Sequence, residues 1–117
     1  MPDARAALAA VEEIVERGGD ADDVLRQVVA ALCERGGYAW AGVLFVEGDE
    51  LVLGPEAGGP DAEARTRVPV SWQGERVAEL AVDGAPAADR PQLERAAELV
   101  SGHCLVGWDT GGEPWES

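Results

Sequence analysis

Tyr38-Ala39-Trp40-Ala41-Gly42-Val43-Leu44-Phe45-Val46 decides the fold. Side chains alternate across a strand, and here both alternating sets are apolar. A strand reads this way when it is covered on both sides, which predicts the central strand of a sheet. Glu47-Gly48-Asp49 follows as a tight turn, and Leu51 to Leu53 returns as a short strand that Gly54-Pro55 stops.

Further along, residues 56–64 consist of Gly, Pro, Ala and acid and read as a surface loop. Arg67 to Trp72 is a strand whose Pro69 favours an edge position or a bulge. Gln73-Gly74 turns the chain, and Arg76 to Val82 returns, completing a hairpin. Ala78, Leu80 and Val82 share one face of that strand, while Glu79 and Asp83 share the other.

Helices flank these strands. Leu8, Val11, Ile14 and Val15 recur at helical spacing between Asp3, a suitable N-cap, and Arg17. Gly18-Gly19 ends this helix. Asp20 is placed to cap a second, whose apolar face is Val24, Leu25, Val28, Val29 and Leu32 and which Gly36-Gly37 ends. A third helix runs from about Asp89, with Pro91 in its first turn and a stripe of Leu93, Ala96, Ala97 and Val100. Residues 103–108 fit either a final turn or an extended tail. Short turns between consecutive strands give antiparallel pairs. The expected class is therefore α+β: a two-layer domain with an antiparallel sheet of about four strands and the N- and C-terminal helices on one face. The 117 residues suffice for one domain, taken as 1–106, followed by an acidic tail, 107–117, that carries Trp108 and Trp115.

Apolar residues form 46% of the chain, so disorder is excluded by composition. No apolar run approaches a membrane span, and acids from Glu12 onward do not suit a secretory leader. The expected location is the cytoplasm. The net charge of −14 opposes nucleic acid and anionic membranes as partners and favours neutral or cationic ones. Cys33 and Cys104 have no metal-ligand spacing with His103 and read as free buried thiols, so neither a metal nor a cofactor is expected.

Tyr38-Ala39-Trp40-Ala41-Gly42-Val43-Leu44 and the turn into Leu51-Val52-Leu53-Gly54-Pro55 resemble the first hairpin of short GAF domains of the free methionine-(R)-sulfoxide reductase type. Val77 to Gly84, with Asp89 to Val100, is similar to that group's closing strand and last helix. The resemblance implies a sensory α+β fold with terminal helices on an antiparallel sheet. It also implies two substrate-contacting acids on the closing strand, of which Asp83 alone remains in Ala81-Val82-Asp83. The reductases' middle segment and its cysteines have no counterpart between Gly54-Pro55 and Val68-Pro69-Val70.

These departures give the expectation of a non-catalytic small-molecule-binding or dimerising module, not an enzyme. The alternatives are a methionine sulfoxide reductase-type enzyme and a protein-interaction module using the tail. Asp83 is the first candidate for a ligand contact. Glu79 joins it as a carboxylate pair or as the solvated face of a strand. Tyr38, Trp40 and Trp72 form an aromatic wall or fill the core. A homodimer through the helices is expected, because Val15 and Val29 lie beside the main apolar stripes. The tail is expected to cross the outer sheet face and shield it.

Overall fold

The computed structural model describes residues 2–105. Asp3 opens the first helix, α1 (Ala4–Arg17), accepting a hydrogen bond from the Ala6 N–H at 2.8 Å. Helix α2 (Ala21–Gly36) follows after Gly18-Gly19. Asp20 stands at its N-cap position, but its side chain makes no capping bond, so the first turn leans on Asp22 and Asp23 against the helix dipole. Four strands come next: β1 (Trp40–Glu47), β2 (Glu50–Gly58), β3 (Arg65–Trp72) and β4 (Glu75–Asp83). Helix α3 (Arg90–Val100) closes the domain, and a 3-10 turn over Ser101–Leu105 resolves the described part of the C-terminal stretch as a final turn. The expectation for the tail, 107–117, lies outside the described residues.

The sheet is antiparallel, in the order β2-β1-β4-β3. The expected α+β class stands, with β1 inside the sheet between two neighbours. Ala41 and Val43 of β1, Ala78, Leu80 and Val82 of β4, and Val68 and Val70 of β3 enter one core with α1, α2 and α3. Val11, Val24, Val28 and Leu93 meet them there. Burying each such side chain contributes on the order of 1.5–3 kcal/mol, which fixes the helix layer on this face. Val29 is 1% exposed and Val15 packs against the same core. The apolar residues that suggested a helical dimer surface therefore serve the monomer's own interior.

Two elements differ from expectation. Strand β2 does not stop at Gly54-Pro55 but continues to Gly58. It is an edge strand, where a proline without an N–H is tolerated, and its register slips by one residue there, between Gly42 and Leu44 of β1. A second slip falls between Val70 and Ser71 of β3, the other edge, where its partner β4 carries the extra residue, Val77. The expected loop 56–64 thus shrinks to residues 59–64, which include a 3-10 turn over Ala62–Ala64.

Candidate functional site

The outer face of the sheet, opposite the helices, is built around Trp40. Its indole lies flat over Gly42, two residues along β1: a methyl at Gly42 would come 2.5 Å from the ring. The ring is 2% exposed although it faces away from the core. Above it sits the Arg65 guanidinium, whose Cζ is 4.1 Å from the ring centroid. A cation over an indole face gains about 0.5–2 kcal/mol, more as water is excluded.

Arg65 opens β3 directly opposite Asp83, the last residue of β4. Its Nε donates to Asp83 Oδ1 at 2.8 Å and its Nη2 to Oδ2 at 3.0 Å, a bidentate pair. The Asp61 N–H also donates to Oδ2. Asp83 is fully buried at 0% exposure, while the Arg65 side chain keeps 19%. The Arg65 hydrogen bonds, helped by the Asp61 N–H, hold the Asp83 carboxyl below its ordinary value against the upward push of burial. Arg65 is raised in return, chiefly by the same bonds. On the other side of the indole, Trp40 Nε1 donates to Glu56 Oε1 at 2.8 Å. Glu56 lies on β2 opposite Gly42, so strands β2, β1, β4 and β3 each supply one member: Glu56, Trp40, Asp83 and Arg65.

The backbone pins this arrangement. Gly58 has φ +88, and a Cβ there would strike the Ala39 carbonyl, so only glycine lets β2 leave the sheet at this point. The Gly59 N–H then donates to Ala39 O at 2.9 Å, and the Gly84 N–H to Ala64 O at 3.0 Å. The 59–64 link is held at both ends beside Asp83.

Of the residues expected from sequence, Trp40 and Asp83 are brought together; the others are elsewhere. Glu79 shares the face but lies four residues along β4, roughly 13 Å away by strand rise. It is 9% exposed rather than a solvated strand face, with Arg76 Nη1 at 3.1 Å and Arg67 Nη1 at 3.7 Å. Glu79 and Asp83 are therefore separately salt-bridged carboxylates, not an acid/base pair. Tyr38 lies in the helix-side core at 5% exposure, and its hydroxyl donates to Asp89 Oδ2 at 2.9 Å. Burial, then this bond to a carboxylate, drives its pKa up. Trp72 sits at the far end of β3, 38% exposed and close to Gly102. Tyr38, Trp40 and Trp72 form no aromatic wall: one is in the core, one on the outer face, one at the hairpin end. The sequence reading missed Arg65 and Glu56.

Both thiols are muted. Cys33 is half-buried and donates weakly to Ala57 O at 3.5 Å, and desolvation raises its pKa. Cys104 is fully buried and its thiol is pushed up to about 12. Thiol chemistry favours the opposite shift.

The same frame occurs in solved structures of low identity. A free methionine-R-sulfoxide reductase from Neisseria meningitidis, in complex with its substrate, superposes with a TM-score of 0.72 at 19% identity, over 86% of this chain and 87% of that one. The Staphylococcus aureus reductase, also with substrate, gives 0.71 at 14% identity, over 89% and 97%. The GAF domain of a phosphoenolpyruvate-protein phosphotransferase from Coxiella burnetii gives 0.72 at 13%, over 93% and 98%. No protein-family model matches the chain, and no curated protein matches it. The chain has the GAF fold, as the first hairpin and closing strand implied. The expectation that it is no enzyme is corrected by the same neighbours. Reductases stand among them beside sensor domains, so a missing middle segment is no ground for excluding catalysis on this frame.

Proposed function

We propose that this chain is a GAF-type small-molecule-binding module whose ligand site is the outer-face cluster of Trp40, Glu56, Arg65 and Asp83. One observation supports the reading above the rest: a carboxylate with no exposed surface, Asp83, held on the sheet face away from the core by a guanidinium that lies on an indole. Buried charge is costly, and a hydrophobic filling of the same space is often no less stable. A charged cluster there suits recognition of a charged ligand better than it suits packing. Among the described residues, the buried charged side chains are Asp83 and Glu79, both on the outer face. A thermal-shift screen against a metabolite collection tests the reading. A ligand at 100 times its dissociation constant adds about 2.7 kcal/mol, and Asp83→Asn should remove the shift. A hit whose shift survives Asp83→Asn places the ligand elsewhere.

A reductase-type enzyme is the second reading, favoured by the substrate-bound reductases that superpose on the chain. Turnover of free methionine-(R)-sulfoxide with a thiol reductant decides it. A homodimer remains a proposal as well. Through the helices it would use the groove of about 290 Å³ between α1 and α2, lined by Ala10, Ile14, Gln27 and Ala31 among others. A monomeric mass by light scattering at high concentration refutes it.

A further inference from the structure

Resting on that reading of the outer face, we infer that the Trp40–Asp83 niche is a recognition site for a guanidinium or similarly small cation, and that Arg65 fills it as a built-in ligand that an external cation must displace. The niche has the parts such a site needs. An indole face takes the flat side of the guanidinium at 4.1 Å. A buried carboxylate takes its edge through two bonds of 2.8 and 3.0 Å. Glu56 fixes the indole plane from the far side through Nε1. These groups belong to the sheet itself, on β1, β4 and β2, and would stay in place without Arg65.

The charges around Arg65 are out of balance. Asp83 neutralises it, while Glu56 and Asp61 act on it at longer range, so one cation faces three carboxylates. A net charge of −14 over the chain raises the concentration of cations around the protein as a whole. Arg65 is also the member that can leave. It is the first residue of β3, immediately after the 59–64 link, and its side chain already reaches solvent. Its departure alone would strand a buried carboxylate, which is strongly unfavourable. A neutral ligand therefore cannot replace it, whereas a cation can, since one bidentate pair is exchanged for another. The Asp61 N–H bond to the same carboxylate does not involve Arg65 and would be kept through the exchange.

N-Ethylguanidinium is the probe and ethylurea, its neutral isostere, the control. Arg65→Ala empties the niche. It should bind N-ethylguanidinium at least about tenfold more tightly than wild type does, with a rise in melting temperature that ethylurea does not give. Adding Asp83→Asn to Arg65→Ala should abolish the gain. A folded Arg65→Ala protein that responds equally to both probes overturns the inference. If that variant does not fold, wild type decides by NMR. N-Ethylguanidinium, and not ethylurea, should then shift the Trp40 indole N–H and broaden the released Arg65 Nε–H through exchange with water; unmoved resonances overturn the inference. A wild type that binds a metabolite through Asp83 while Arg65 stays in place keeps the proposed function and sinks this inference alone.

Discussion

Gly42→Ala probes the foundation of the outer-face cluster without touching any charged group. The added methyl would stand 2.5 Å from Cζ2 and 2.6 Å from Cη2 of Trp40. Carbon atoms pack at about 3.5–4.0 Å, so the indole must rise by roughly 1 Å. The ring is closed in by Arg65 above and tied to Glu56 at its Nε1, so it cannot rise without loosening both contacts. Forcing a methyl into a filled site costs about 1–3 kcal/mol, and a loosened cation–π contact up to about 1 kcal/mol more. Replacing glycine in a strand returns about 0.5–1 kcal/mol. The net loss is about 0–3.5 kcal/mol, read as a fall in melting temperature of about 4 °C or more per kcal/mol for a domain of this size. Gly59→Ala is the control: a methyl there meets nothing within 4 Å, and the variant should melt within a degree or two of wild type. The assay is thermal unfolding with an NMR spectrum of the Trp40 indole N–H. If Gly42→Ala melts with the control and leaves that resonance unmoved, Trp40 does not lie on Gly42 and the cluster as described is wrong.

Other perturbations read other parts of the structure. Arg65→Ala should lose about 3–5 kcal/mol at neutral pH, because Asp83 is left buried and unpaired. In wild type the folded pKa of Asp83 is depressed, so the pair's contribution is complete above the ordinary carboxylate value and is lost as pH falls through the folded value. The Arg65→Ala deficit, from denaturant titrations, should therefore narrow below about pH 4; a constant deficit refutes the pairing. Tyr38→Phe removes a bond to Asp89 and should cost about 1 kcal/mol in urea unfolding, with no effect on the Trp40 resonance. Cys104, with its thiol pushed up to about 12 by burial, should react with a disulfide reagent at pH 8 only as the protein unfolds. Labelling of native Cys104 at the rate of a free thiol would contradict its burial.

Much of the frame is legible in the chain. The two-sided apolar run at 38–46 places an interior strand, and Asp3, Gly18-Gly19 and Gly36-Gly37 bound the first two helices where the structure has them. Pro55 misleads, because proline excludes only interior pairing, and β2 is an edge. The site is legible by halves. Asp83 and Trp40 announce themselves as an acid closing an apolar strand and an aromatic within one. Arg65 does not, for a reason in the register. Counting back from the Gln73-Gly74 turn, where Trp72 pairs with Glu75 and Ser71 with Arg76, an unbroken ladder would set Arg65 opposite Val82. Arg65 alternates outward from the core residues Val68 and Val70, so an unbroken ladder would have left Asp83 on the helix side, away from it. The extra residue Val77 on β4 shifts the ladder by one place, turning Asp83 onto the outer face opposite Arg65.

The other edge repeats the device. From the Glu47↔Glu50 pair, an unbroken β1–β2 ladder would put Glu56 opposite Ala41, whose side chain is in the core. The slip between Gly42 and Leu44 sets Glu56 opposite Gly42 instead, on the face where Trp40 lies. Bulges on edge strands have a general use, since they blunt a sheet against pairing with another chain. That use covers the bulge on β2 but neither a particular side chain beyond it nor the bulge on β4, an interior strand. Here the β4 bulge turns Asp83 and the β2 bulge turns Glu56 from the helix side to the outer side, and Glu56 and the Arg65 that Asp83 holds converge on a single indole. Edge protection alone does not account for that convergence, whereas a site assembled on Trp40 needs both slips. The register of the two edge strands is thus the structural feature through which this short chain places charge on the outer face of its sheet.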